Sequence, residues 1–125
     1  MYDLATDADS IQLIKEFFEN GKIVGAICHG VAALVNVKLS DGSYLVAETE
    51  VTGFSNEEED QIKLSEFMPF MLETELNKTS GNKYVKADKP WGKCVVVSKG
   101  GRLITGQNPY SAEAMGKALV DAIAK

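Results

Sequence analysis

The sequence predicts an α/β domain, on three observations. An amphipathic helical pattern over residues 10–20 runs into a wholly apolar strand, Lys22 to Ile27. That strand passes without a loop into a helix of small residues. The order along the rest of the chain, strands, helix, hairpin, helix, keeps the two classes interleaved. At 125 residues the chain has the length of one domain, 1–125, and not of two.

Taken in order, Asp9 and Ser10 are good helix N-caps, and Ile11, Ile14 and Phe18 share one face behind them, with Phe17 alongside. Asn20-Gly21 closes this helix. A short apolar strand such as Lys22–Ile27 is usually buried on both faces, in the middle of a parallel sheet. The small-residue helix covers about His29 to Val37, and Asp41-Gly42 marks a turn. Tyr44–Ala47 and Glu50–Thr52 are strand-like. Asn56 caps an acidic helix start, Glu57-Glu58-Glu59-Asp60, whose charge suits the helix dipole. Ile62 and Phe67 continue that helix to Pro69, which opens another to about Asn77. Thr79–Asn82 is a loop and Lys83–Val85 a weak strand. Cys94–Ser98 and Leu103–Thr105 flank Gly100-Gly101, a hairpin signal. After Asn108-Pro109 a last helix carries Ala114, Met115, Ala118, Leu119, Ala122 and Ile123 on one face. A strand buried on both faces needs parallel neighbours, and few segments remain to supply them. Part of the sheet is therefore expected to be missing on the N-terminal side.

Composition narrows the function. With 45% hydrophobic and 25% charged residues the chain is expected to fold as a soluble globular domain. Net charge is −5 and the basic residues are scattered, which argues against nucleic acid as a partner. No apolar run reaches membrane-spanning length, and the N-terminus lacks the pattern of a signal peptide. A cytoplasmic location is expected, with Cys28 and Cys94 reduced. Two cysteines and the single His29 make only an incomplete zinc set, so no metal site is expected.

The segment Ile23-Val24-Gly25-Ala26-Ile27-Cys28-His29-Gly30-Val31-Ala32-Ala33 carries the chemistry. A strand runs into one reactive residue and then directly into a helix, with Ala26 and Gly30 two positions to either side. This is the pattern of a nucleophile elbow. A helix N-terminus favours a thiolate, the reactive form of cysteine. The His29 backbone N–H is placed to donate to an oxyanion. The plain alternative is that Cys28 is a small buried hydrophobe, which is how Cys94 reads in its alternating strand. For His29 two readings stand: its side chain orients the thiol, or it only lends its N–H. The acidic run at 57–60 is explained by a solvated helix start, though one carboxylate can turn inward to His29. Trp91 and Tyr110 are candidates for a pocket wall, or for ordinary packing.

Together AICHG, VTGFSNEEE and GRLITGQNP resemble the ThiJ/PfpI superfamily, within the class I glutamine amidotransferase-like fold. The branch they resemble most is the glyoxalase III or D-lactate dehydratase group. The resemblance runs from about Met1 to Lys125 and implies a flavodoxin-like three-layer sandwich, usually a homodimer. It implies Cys28 as nucleophile, His29 as the histidine of a triad and Glu59 as its acidic member, with Glu58 the fallback. The implied reaction converts methylglyoxal to lactate without glutathione, metal or other cofactor. The resemblance also implies a longer N-terminal half, carrying a glutamate beside the nucleophile and a glycine-rich oxyanion turn. Neither is in this sequence, so weak turnover and an exposed sheet edge that favours self-association are expected. The alternative function is a non-catalytic redox-sensing or chaperone-like stress-response module built on a reactive Cys28. A classical glutaminase is disfavoured, because no histidine follows His29.

Overall fold

The computed structural model describes residues 1–124; Lys125, the last residue of the expected domain, lies outside them. Helix α1 (Ala8–Glu19) starts earlier than the pattern suggests. Asp7, not Asp9 or Ser10, is the N-cap, and its carboxylate accepts the Ser10 N–H at 2.8 Å. Gly21, with φ +76°, ends the helix as expected. Arg102 covers this end: its guanidinium lies 4.1 Å from the Phe18 ring centre and donates to the Phe18 carbonyl at 2.6 Å.

Strand β1 (Val24–Ile27) follows, and strands β2 (Val95–Ser98) and β3 (Leu103–Gly106) form the predicted hairpin across Gly100-Gly101. β1 pairs in parallel with β3, from Val24 opposite Leu103 to Ile27 opposite Gly106. The sheet, in the order β1-β3-β2, is therefore mixed. It is β3, not β1, that is buried throughout. β1 has one strand neighbour among the described residues, so Gly25 is exposed and Val24, Ala26 and Ile27 are only half-buried.

Strand alternation sorts the two faces. Gly25, Ile27, Ile104 and Gly106 share one face, beneath Met115 of helix α4 (Ala112–Ile123). A Cβ on Gly106 would stand 3.0 Å from the Met115 sulfur. Met115 is buried, whereas Ile123 is 68% exposed and leaves the predicted apolar face. Val24, Ala26 and Leu103 look the other way, into the main core with Phe18, Val31, Leu34, Val51, Leu72 and Leu76. Helices on both faces of a sheet make the molecule α/β, as the sequence predicts.

Between these elements the chain is less regular than its pattern. A single 3₁₀ run, Cys28–Leu34, replaces the helix expected to Val37. Tyr44–Ala47 and Glu50–Thr52 are not strands of the sheet; they make only isolated bridges, Lys38 with Tyr44 and Val51 with Tyr84. Leu45, Val46 and Val51 are fully buried, and turn hydrogen bonds such as Leu45 N–H to Val37 C=O satisfy the backbone there. Helix α2 (Asn56–Gln61) stops well short of Pro69, with Lys63 at φ +61°. Helix α3 (Leu72–Ser80) starts three residues beyond Pro69 and ends at Gly81, φ +71°. Among the described residues no helix is long and apolar enough to cross a membrane.

Candidate active site

β1 delivers Cys28 at the end of the sheet. Ile27 is still extended, at φ −137° and ψ 146°, and Cys28 then turns to φ +60°. For a residue with a Cβ this conformation is costly, of order 1–3 kcal/mol, and such strain clusters at functional sites. The surroundings hold it. Ile27 is registered opposite Gly106, and the Cys28 carbonyl accepts the Phe54 N–H at 3.4 Å. The loop carrying Phe54 is itself fixed, by Thr52 N–H to Thr105 Oγ1 at 3.1 Å and by Tyr84 O–H to the Gly53 carbonyl at 2.8 Å. Gly53 permits the close approach, because a Cβ there would lie 3.0–3.2 Å from Leu76, Leu72 and Val31. Gly30 differs: a Cβ there meets nothing within 4 Å, so no contact in this chain requires the small residue that the elbow pattern invoked.

Three side chains then line up. His29 Nδ1 stands 3.7 Å from Cys28 Sγ, and His29 Nε2 lies 2.5 Å from Glu59 Oε2. With Nε2–H donating to the carboxylate, the Nδ1 lone pair faces the thiol. Of the two readings for His29, the structure places its side chain, and not only its N–H, beside Cys28. Of the acidic run, Glu57 and Asp60 are exposed, while Glu59 is buried and reaches His29. Its other oxygen, Oε1, is buried without a partner among the described residues.

Glu58 does something the sequence reading did not assign to it. Fully buried, it accepts the Ser55 N–H and O–H and the Gln107 amide on Oε1, and the Trp91 N–H and Asn108 amide on Oε2. Its own N–H donates to Ser55 Oγ, completing a capping box on α2. Burial alone would raise this carboxyl's pKa; the donors on it win, and hold it below the usual carboxylate range. The S-x-x-E spacing of Ser55 and Glu58 was the available signal, and it places the cap at Ser55, not at Asn56.

Cys28 corrects the expectation of a ready-made thiolate. Burial pushes its thiol above the ordinary range, the His29 backbone N–H opposes this, and the charges of Glu58 and Glu59 add to the rise. One N–H of a short 3₁₀ turn is outweighed by desolvation and two carboxylates. The proton must therefore be taken from Cys28, and His29 Nδ1 faces it.

An aromatic row leads away from this centre. His29 and Phe54 have ring centres 4.2 Å apart, Phe54 and Trp91 5.5 Å, and Trp91 and Tyr110 6.3 Å, the last two pairs edge-on. Cys94 is half-buried, with its N–H donating to Ser111 Oγ at 3.0 Å, in keeping with a structural role. Among the described residues no group of three His, Cys, Asp or Glu side chains is placed to hold a metal ion.

A profile of the DJ-1/PfpI family matches residues 2–122. The chain belongs to the DJ-1/PfpI family. The probable glutathione-independent glyoxalase hsp3103 of Schizosaccharomyces pombe is 35% identical over 124 residues, covering 94% of this chain and 46% of that protein. The glutathione-independent glyoxalase HSP31 of Saccharomyces cerevisiae is 27% identical over 127 residues, covering 98% and 53%. Among solved structures, the Rapid Encystment Protein 24 kDa of Francisella tularensis superposes with TM-score 0.90 at 38% identity, over 98% of this chain and 52% of that one. Glyoxalase III of Candida albicans superposes with TM-score 0.85 at 25% identity, over 97% and 52%. These likenesses bear out the α/β, flavodoxin-like architecture. The chain spans about half the length of the relatives it matches.

Proposed function

We propose that this chain carries the cysteine centre of a glutathione-independent glyoxalase that converts a 2-oxo aldehyde such as methylglyoxal to the 2-hydroxy acid, lactate. The observation that carries the reading is the contact line Cys28–His29–Glu59 on a strained strand-to-helix turn. The names of the relatives supply the reaction class. His29 Nδ1 takes the thiol proton as Sγ attacks the aldehyde carbon, and the resulting alkoxide is protonated to a hemithioacetal. The C1 proton then moves to C2 while the electrons shift through an enediol, leaving a 2-hydroxy thioester. Water attacks the thioester carbonyl, releases lactate and returns the proton to sulfur. Glu59 holds the His29 ring and supports the positive charge that His29 takes up, as the acidic member of a triad does.

The open edge of β1, with Leu13 and Phe17 exposed beside it, supports self-association of this chain. Intact-mass analysis of the chain quenched during reaction with methylglyoxal tests the chemistry. The reading expects an adduct on Cys28 that is absent in Cys28→Ser. An adduct confined to lysines and arginines would refute it.

A further inference from the structure

Trp91 is the sole tryptophan and has φ +68°. A bulky residue in the left-handed region is a genuine outlier, and something must hold it there. The holder is visible. Glu58 Oε2 accepts the Trp91 N–H at 2.7 Å, and Asn108 Nδ2 donates both to that same oxygen, at 2.7 Å, and to the carbonyl of Gly92, at 2.8 Å. The indole N–H is tied to Gln61 Oε1 at 2.6 Å, at the end of the helix that carries Glu59. Among the described residues Glu58 has no cationic partner; hydrogen-bond donors alone satisfy it, from the cap of α2, from the loop at Trp91 and from the segment after β3. A glutamine would turn an NH₂ toward one of these sets of donors, so only a carboxylate serves. The clamped indole packs edge-on against Phe54, whose ring lies against His29, and it remains partly open to solvent with the exposed Tyr110 beyond.

We propose that Trp91 is a specificity-determining wall of the Cys28 site, recognising 2-oxo aldehydes whose second substituent is flat and apolar, and that Glu58 is the positioning residue that holds this wall in its strained conformation. The substrate class rests on the glyoxalase reading; the wall does not. It is tested without turnover, by comparing alkylation of Cys28 with phenacyl bromide and with iodoacetamide in a Cys94→Ser background. Each rate is normalised to that of free glutathione. The wall gives a preference for the aromatic reagent that Trp91→Ala lowers about five- to tenfold and Trp91→Phe largely keeps. Glu58→Gln loses the same preference, and its single-tryptophan emission shifts to the red as the indole is released. A purely structural role for Glu58 would change both alkylation rates together and leave their ratio alone. Should Glu58→Gln fail to fold by circular dichroism, Asn108→Ala, which removes the ties to Glu58 and to the Gly92 carbonyl in the same clamp, takes its place. An unchanged ratio in Trp91→Ala, or a folded clamp variant with unchanged ratio and emission, overturns the proposal. Loss of the preference in a chain that makes no lactate would support the wall and refute only the substrate class.

Discussion

Replacing Glu59 by glutamine removes one charge from the centre of the site and little volume. In the native arrangement Glu59 is 3% exposed and its Oε2 lies 2.5 Å from His29 Nε2. The amide oxygen of glutamine can still accept that N–H, so the bond changes from charge-assisted to neutral. Hydrogen bonds to charged groups contribute about 1.5–3 kcal/mol and neutral ones about 0.5–1.5, a difference of roughly 1–2 kcal/mol. At about 1.4 kcal/mol per decade this slows removal of the Cys28 proton by roughly five- to thirtyfold, of which loss of the Glu59 charge, the smallest of the causes that raise the thiol, gives back only a part. The glutamine NH₂ would also take the place of Oε1, which has no partner among the described residues, and bury two donors there. The assay is the second-order rate of Cys28 with iodoacetamide at neutral pH, in a Cys94→Ser background, with circular dichroism as the check on folding. Glu57→Gln, at an exposed position, leaves the rate unchanged. A folded Glu59→Gln within twofold of the parent would refute the reasoning, and a slowing in Glu57→Gln would mean that the wrong carboxylate was assigned.

The other expectations concern pH and packing. Because burial raises the Cys28 thiol, its alkylation rate should climb with pH to a midpoint above that of a free cysteine; a midpoint below neutrality would contradict the role given to His29. Glu58 is held below its unfolded value of about 4.3, so its contribution is complete above that pH and is lost as pH falls through the folded value. Urea midpoints read from Trp91 emission should show this acid loss, and Glu58→Gln should abolish it while costing about 2–4 kcal/mol at neutral pH. Gly53→Ala forces a Cβ against Leu76, Leu72 and Val31, and should lower stability by about 1–3 kcal/mol, seen as a reduced Tm.

The elements legible in the sequence were those set by local chemistry. Periodicity and Asn20-Gly21 located α1, Gly100-Gly101 located the hairpin, and the apolar run before Cys28 located β1. What pattern could not supply was burial without regular structure. Leu45, Val46 and Val51 read as strands because they are apolar, yet they fill the core from a loop. Ile62 and Phe67 suggested a longer α2, but both are exposed, so no packing rewarded its extension. At the site, Cys28 and Glu59 came from the elbow pattern and the resemblance, while the direction of the Cys28 shift did not. It depends on how far the thiol is desolvated and on how Glu58 and Glu59, about thirty residues away, are brought beside this half-buried group, and only the fold shows that. Glu58 was weighed as a substitute for Glu59; the capping spacing Ser55-x-x-Glu58 already marked it as a different kind of residue.

Lactate formation from methylglyoxal in the absence of glutathione, compared between this chain and Cys28→Ser, tests the central claim most directly. The account predicts lactate from the parent chain and none above background from the variant. Equal lactate from both, or none from a parent chain whose Cys28 is still alkylated through His29, would contradict it.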